Sequence, residues 1–264
     1  MRGRTRRPRM GECMIMPFSG FLGMQYDFQW NVLWTGGHGE WLLQGIWTTL
    51  RLSAISWIIA CALGILSGTL RTVPFAPLRL LATWYVEFFR NVPLLVWLFL
   101  WYFGVPQALP RGAQNWLNLH GPEFWSAVAG LSVYHGARFS EVIRAGIQSI
   151  PKTLLEASIA TGLSVGQAYR LIIIPIALRL IVPPLTNESL NLLKNSSLAM
   201  TIGVAELTFM SRQIETYTAK AFEALTAGTV IYLGLCLTIA FIMSQVEQRF
   251  RIPGLIVRAG RAEH

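Results

Sequence analysis

The sequence is poor in charge, and this shortage excludes an ordinary soluble domain. Asp, Glu, Lys and Arg make up 13% of its 264 residues, whereas a soluble domain carries about 25%. Hydrophobic residues account for 53% of the chain, and the mean hydropathy is +0.46. This composition indicates an integral membrane protein rather than a globular enzyme.

The sequence also has few cysteines, a single aspartate and no phosphate-binding loop motif. The three cysteines (Cys13, Cys61 and Cys236) show neither paired nor metal-type spacing, so no disulfide framework or metal site is expected. The chain has no G-x-x-x-x-G-K-[ST] loop, so we expect it to bind no nucleotide or other cofactor and to have no catalytic residue. Asp27 is the only aspartate, which disfavours an intramembrane enzyme with paired aspartates. A channel is a further alternative.

Apolar runs predict an all-α membrane protein. Leu52–Leu70, Asn91–Pro110 and Ala224–Val246 are uncharged and reach the roughly 20 residues that a helix needs to cross a bilayer. Two other runs carry charges or prolines, which are tolerated where a helix faces protein or a cavity. We therefore expect five transmembrane helices in one domain (residues 24–264), at about 46–70, 88–106, 123–147, 168–192 and 222–247.

The basic residues of the loops predict an orientation. One set of loops holds ten of them (Arg71, Arg79, Arg90, Arg144, Lys152, Arg170, Arg249, Arg251, Arg258 and Arg261), and the other holds three (Arg111, Arg212 and Lys220). The positive-inside rule places the first set and the C-terminus in the cytoplasm. Five spans then place the N-terminus in the periplasm. Residues 1–23 form a basic leader, and its positive charge conflicts with a position outside the cytoplasm. We therefore expect the natural start to be Met16 or Met24.

A patterned polar segment lies between the third and fourth predicted spans. Pro151 is typical of a helix start, and Glu156 follows where a negative charge suits the helix dipole. Gly162 or Gly166 permits a sharp turn before a second helix. The pattern predicts a short cytoplasmic helix over about residues 151–166. By geometry alone, an ordinary amphipathic helix on the membrane surface fits equally well.

The stretch EASIATGLSVGQAYRLIIIPIAL, which starts at Glu156, resembles the EAA loop of permease subunits of ATP-binding-cassette importers. Ser158 stands where that family usually has a second alanine. The resemblance implies the type I importer permease fold, in which this loop is a coupling helix that docks on the ATPase subunit. The residues implied in ATPase coupling are Glu156, Ala157, Gly162, Leu163 and Ser164. Neither an intramembrane enzyme nor a channel needs such a helix.

Further stretches resemble the polar amino-acid branch of these importers, among them YVEFFRNVPLLVWLFLWYFGVP and SEVIRAGIQSIPKTLLEA. NESLNLLKNSSLAMTIG is similar to the first permease subunit of glutamate/aspartate importers; glutamine, histidine or arginine are alternative substrates. The resemblance implies an inner-membrane location and three partners: an ATP-binding subunit dimer that uses ATP and Mg, a second permease subunit and a periplasmic amino-acid-binding protein.

Polar residues inside the spans are the candidates for a substrate pathway. A guanidinium such as that of Arg138 can bind a carboxylate bidentately; the alternative is an ion pair with Glu141 on the same helix. A helix break is expected at Pro183–Pro184. The candidates after that break are Asn187, Glu188, Asn191, Lys194 and Asn195, with pairing of Glu188 and Lys194 across a subunit interface as the alternative. Glu87 and Arg90, one turn apart, predict a further ion pair.

Overall fold

The fold is given by a computed structural model, which describes residues 26–73 and 75–250. All regular elements in these residues are helical, and the predicted leader and start sites lie outside them. The α-helices are α1 (His38–Leu70), α2 (Ala76–Arg90), α3 (Leu94–Phe99), α4 (Val105–Ala108), α5 (Arg111–Leu119), α6 (Pro122–Gln148), α7 (Lys152–Ala160), α8 (Val165–Ala168), α9 (Ile174–Asn195), α10 (Leu207–Thr218) and α11 (Ala221–Phe250).

Helix α6 lies at the centre and packs against α1, α2, α3 and α9, with the most extensive contact to α1. Small residues make that contact close. A Cβ added to Gly64 would lie 2.5 Å from the Cβ of Phe139, and one added to Gly68 would lie 2.9 Å from the carbonyl oxygen of Ser140. Gly136 of α6 is equally close to α1, since its Cβ would lie 2.9 Å from the Cβ of Leu63. Such close backbone approach is typical of membrane helix pairs.

The second predicted span is not one straight helix. Helix α2 and the segment Leu94–Ala108 meet at a bend of 100°. Pro93 occupies the N-cap of α3, and the residue before a proline is disfavoured in helical conformation. The uncharged run therefore begins at the bend, and the segment Leu94–Ala108 contains most of it.

The predicted break at Pro183–Pro184 is wrong, because α9 continues through both prolines. Each proline removes one backbone donor, so the carbonyls of Arg179 and Leu180 lose their usual helical partners. In the next turns of α9, the hydroxyls of Thr186 and Ser189 donate to the carbonyl four residues back, at 3.1 and 2.7 Å. A wide π turn at Tyr169–Ile173 joins α8 to α9 instead, and a 3-10 helix at Ser196–Ile202 extends α9 at its other end. The result is one long helical rod from α8 to Ile202.

Three helical segments are long and apolar enough to cross a membrane: α1, the rod from α8 to Ile202, and α11. Helix α2 together with the segment Leu94–Ala108 beyond the bend makes a fourth candidate. Helix α6 has 27 residues, about 40 Å at 1.5 Å per residue, but its charged residues exclude it from this group. The number of five spans thus stays a prediction. Helix α1 begins at His38 rather than near residue 46.

The segment at 151–166 contains α7 and the start of α8, with the predicted turn between them. Helix α7 ends in a Schellman-type turn, in which Gly162 has a φ of +92° and the amide of Leu163 donates to the carbonyl of Ser158. Ser164 then caps α8 through a reciprocal pair of hydrogen bonds with Gln167. Of the two glycines considered, Gly162 makes the turn. Helix α7 is thereby joined rigidly to the rod that carries α9.

Candidate functional site

Arg138 of α6 and Glu188 of α9 form a bidentate ion pair. The Nε of Arg138 donates to one carboxylate oxygen at 2.7 Å and its Nη2 donates to the other at 2.9 Å. The Arg138 side chain is 38% exposed and that of Glu188 is 15% exposed. The alternative pairing of Arg138 with Glu141 is wrong, because Glu141 faces arginines at the helix ends. The guanidinium thus already holds a carboxylate in the geometry expected for an acidic ligand.

One turn away on α6, His135 is fully buried and faces Asn195 of α9. Their nearest nitrogens, Nε2 of His135 and Nδ2 of Asn195, are 3.2 Å apart. An amide donor at Asn195 requires Nε2 to be the acceptor, which places the ring proton on Nδ1. The ring of Tyr134 lies 6.0 Å from the Arg138 guanidinium carbon. Sequence reasoning missed Tyr134 and His135, although both are polar residues next to Arg138 in an apolar run.

Lys194 lies elsewhere, at a cavity of about 470 Å³ between α9, α10 and α11. Hydroxyl groups of Ser197, Thr208 and Tyr232 line this cavity, and none of its lining residues is acidic. Lys194 is exposed and forms no ion pair with any residue of the described ranges. An unpaired ammonium group among hydroxyl groups can bind an anion.

Glu206, which sequence reasoning also missed, positions the wall of the Lys194 cavity. Its buried carboxylate caps α10 by accepting hydrogen bonds from the amides of Thr208 and Phe209, both at 2.9 Å. It also accepts one from the hydroxyl of Tyr232 at 2.6 Å. Burial raises the pKa of Glu206, against the opposing effect of these hydrogen bonds. The carboxylate thereby joins α10 to α11.

The six pathway candidates do not form one cluster. Arg138, Glu188 and Asn195 lie where α6 meets α9, whereas Lys194 faces the cavity toward α10 and α11. Asn187 is exposed and Asn191 is half-buried. The helical spacing of residues 187, 191 and 194 nevertheless places their side chains along one polar side of α9.

A second charged cluster ties together the ends of α1, α2 and α6. Glu141 accepts a hydrogen bond from Arg71 at 2.7 Å, lies 3.3 Å from Arg90 and contacts Arg144. Glu87 lies 3.9 Å from Arg71. The predicted pair of Glu87 with Arg90 is therefore wrong, because both side chains face partners on other helices.

The five predicted coupling residues lie together on α7 and the turn that follows it. Glu156, Ala157, Gly162 and Ser164 are exposed, and Leu163 is half-buried. Apolar side chains are exposed beside them, with Ile159 at 43% and Val165 at 55%. Helix α7 packs mainly against α8 and the π turn, so its remaining surface is available to a partner.

Long apolar helices around a charged, partly exposed interior are the features of a membrane transport component. Residues 60–252 match the family described as the binding-protein-dependent transport system inner membrane component. The chain belongs to this family.

Curated relatives place the chain in the amino-acid branch. It is 39% identical over 241 residues to the glutamate/aspartate import permease protein GltJ of Escherichia coli K12, covering 88% of this chain and 98% of the relative. It is 34% identical to the arginine transport system permease protein ArtQ of Bacillus subtilis, with coverage of 80% and 92%. Identity to the glutamine transport system permease protein GlnP of E. coli K12 is 32%, with coverage of 87% and 100%.

Solved structures agree. A crystal structure of an amino acid ABC transporter with histidines matches with a TM-score of 0.73 and 31% identity, covering 86% of this chain and all of that one. The MetNI methionine ABC transporter shares the fold, with a TM-score of 0.63 at 19% identity. The protein is thus a multi-pass inner-membrane permease subunit of an amino-acid ABC importer. It is not an enzyme, since in these systems ATP is hydrolysed by a separate subunit.

Proposed function

We propose that this subunit carries an acidic amino acid, glutamate or aspartate, into the cell. The observation that carries the proposal is the bidentate grip of Arg138 on a carboxylate beside a span interface. The Arg138 side chain is partly exposed, so a substrate carboxylate can reach it. In this proposal, Glu188 is the counterion of Arg138 when no substrate is bound. The substrate carboxylate displaces it, and the Arg138–Glu188 ion pair forms again when the substrate leaves. Such an exchange limits how tightly the substrate binds, which permits its release.

The charge balance of the pathway residues favours an anion. Arg138 is matched by Glu188, whereas Lys194 has no carboxylate partner in the described ranges. The six pathway residues therefore carry one surplus positive charge, which attracts an anionic ligand and repels a cationic one.

The substrates in the names of the relatives give the alternatives to an acidic amino acid. The glutamate/aspartate permease is 39% identical to this chain, the arginine permease 34% and the glutamine permease 32%. Glutamine lacks the second carboxylate, and arginine carries the charge that Arg138 and Lys194 repel. The acidic substrate therefore fits the pathway residues better than either alternative.

Helix α7 is proposed as the coupling helix that docks on the ATPase subunit. Its exposed face carries Glu156 and the apolar side chain of Ile159, and Val165 is exposed at the start of α8. Motion of α7 reaches α9 through the Gly162 turn, the capped start of α8 and the π turn. Because α9 carries Glu188 and Asn195, the motor is connected directly to the proposed substrate site.

The proposed cycle is alternating access between two permease subunits that form a heterodimer. A periplasmic amino-acid-binding protein delivers the substrate, and the ATPase dimer, which holds ATP and Mg, closes and reopens the coupling helices. This subunit binds no cofactor. The predicted orientation, with α7 and the C-terminus in the cytoplasm and the N-terminus in the periplasm, is part of the proposal and rests on the distribution of basic loop residues.

Uptake by the assembled importer tests the substrate. Proteoliposomes would contain this chain with the sister permease, ATPase and binding protein encoded beside it, and would receive radiolabelled glutamate, aspartate, glutamine, histidine and arginine in turn. We expect ATP-dependent uptake of glutamate or aspartate and not of the other three. Uptake of only a neutral or basic amino acid would refute the acidic substrate and leave the importer and its coupling helix in place.

A further inference from the structure

A cavity of about 700 Å³ lies at the basic end of the molecule, apart from the pathway residues. It opens where α1 and α6 end, where α2 and α7 begin and where the π turn leads into α9. Because α1, which is long and apolar enough to cross a membrane, ends at this cavity, the cavity lies at the level of lipid headgroups. No role of the coupling or pathway residues accounts for it.

Three cations line this cavity: Arg71, Arg79 and Lys152. No acidic residue is among its lining residues. Arg79 and Lys152 are exposed and form no ion pair with any residue in the described part of the chain. The hydroxyl groups of Thr69 and Thr72 line the same cavity. Cations and hydroxyl groups without a carboxylate favour a phosphate group.

Arg71 provides a fixed point in this arrangement. Only 7% of its side chain is exposed, and Glu141 and Glu87 hold its guanidinium at 2.7 and 3.9 Å. These two carboxylates fix the position of the Arg71 guanidinium at the cavity.

Another part of the cavity lining is an apolar wall. Ile147 lies at the end of α6 and Ile150 just after it, while Ile173, Ile174 and Ala177 come from the end of the π turn and the start of α9. Ile174 is 50% exposed, so an acyl chain can pack against it. A free phosphate ion would leave this wall without a partner, whereas a phospholipid covers both walls.

We propose that the cavity binds the headgroup of an anionic phospholipid. Its phosphate contacts Arg79 and Lys152 beside the fixed guanidinium of Arg71, and one acyl chain lies along Ile173 and Ile174. Basic pockets between membrane helices are suited to such headgroups. Because Lys152 starts α7 and Arg79 belongs to α2, the lipid joins the proposed coupling helix to the α1–α2 connection. The inference depends neither on the substrate nor on the direction of transport.

Native mass spectrometry of the full chain purified with its partner subunits tests the site. The probes are phosphatidylglycerol, phosphatidylcholine and inorganic phosphate, each titrated against the unmodified chain and against Arg79→Gln, Lys152→Gln and Arg111→Gln. Arg79 and Lys152 are exposed, so their replacement leaves the packing intact. Arg111, which is also exposed, begins α5 outside the cavity and serves as the matched control.

We expect phosphatidylglycerol to bind more tightly than phosphatidylcholine. Each cavity variant should weaken the binding of phosphatidylglycerol about five-fold, which corresponds to one Lys or Arg at a lipid surface, and Arg111→Gln should not. Equal binding of the two lipids, or equal weakening by Arg111→Gln, would overturn the proposal. Inorganic phosphate that binds as tightly as phosphatidylglycerol would also overturn it, because the site would then select a free anion.

Discussion

At the scale of single residues, substitutions of Arg138 and Glu188 can distinguish a role of this ion pair in folding from a role in transport. Their two charged hydrogen bonds stabilise the α6–α9 contact, and loss of such bonds typically costs about 1.5–3 kcal/mol. We expect Arg138→Gln to lower the kcat/KM for acidic amino-acid uptake about ten- to hundred-fold. The exchanged pair Arg138→Glu with Glu188→Arg should restore thermal stability but not uptake, because the cation then lies on α9.

Arg212→Gln is the matched control for these uptake measurements. Arg212 forms a surface pair with Glu215 at 3.5 Å and has a 57% exposed side chain, so its loss should leave both uptake and stability unchanged. Full uptake by Arg138→Gln would show that the pair is structural only. The substrate site would then lie elsewhere in the chain or its partners.

Glu206 gives a second prediction at this scale. Burial raises the pKa of its carboxyl group, so a neutral amide of the same shape should be tolerated there. Thr208 and Phe209 donate to different oxygens of Glu206, so Glu206→Gln keeps an acceptor for one of the two amides, whereas Glu206→Ala leaves the N-cap of α10 empty. We expect Ala to destabilise the protein by about 1–2 kcal/mol and Gln by clearly less, as measured by thermal unfolding in detergent. Equal loss with both substitutions would contradict the capping role.

At the scale of helices, the close contact of α1 with α6 predicts a steep cost for added volume. In Gly64→Val, the new side chain would begin 2.5 Å from the Cβ of Phe139, and such overpacking costs about 1–3 kcal/mol. Gly234→Val places the same residue on α11, where a Cβ would meet nothing within 4 Å. A lower melting temperature for Gly64→Val than for Gly234→Val is expected. Equal melting temperatures would show that α1 and α6 can separate without cost.

Substitutions of Gly162, in the connection between α7 and α8, and of Gly166, in α8, test the role of this connection. Gly162 has a positive φ, which costs other residues roughly 1–2 kcal/mol, and Val, being β-branched, fits it worse than most. Gly162→Val should abolish transport and substrate-stimulated ATP hydrolysis while the chain still inserts into the membrane. Gly166→Ala, in the adjacent helix, should keep both activities. If Gly162→Val transports normally, α7 is not the coupling element.

The limits of helices that are set by local sequence could be predicted from the sequence. Features that are set by packing against other helices could not. The limits of α6 follow from its apolar run with Pro122 at the start, and α8 follows from its local cap. The continuity of α9 through Pro183, by contrast, depends on its packing against neighbouring helices. Likewise, the spacing of Arg138 and Glu141 on one helix suggested a local pair, whereas only the packing of α9 against α6 brings Glu188 to Arg138.

At the scale of the whole molecule, the exposed polar side of α9 requires a partner. Asn187 and Lys194 are exposed in the single chain, yet they lie within a helical rod long and apolar enough to cross the membrane. A charged or amide side chain at that depth is costly against lipid. The second permease subunit of the proposed heterodimer would cover this side of α9 and leave a polar path between the two subunits.

Cross-linking from α9 tests this arrangement. In a chain whose three cysteines are first replaced by serine, Asn187→Cys places a thiol on the polar side of α9, and Leu237→Cys places one on α11 at a position 61% exposed. With a short bifunctional thiol reagent and a sister permease carrying a matching cysteine, we expect Asn187→Cys to cross-link to the sister and Leu237→Cys to remain uncoupled. A product at twice the mass of this chain would instead indicate a homodimer. Cross-linking from Leu237→Cys alone would refute this arrangement, because the subunit interface would then lie on α11 and another element would have to shield the ammonium group of Lys194 from hydrocarbon.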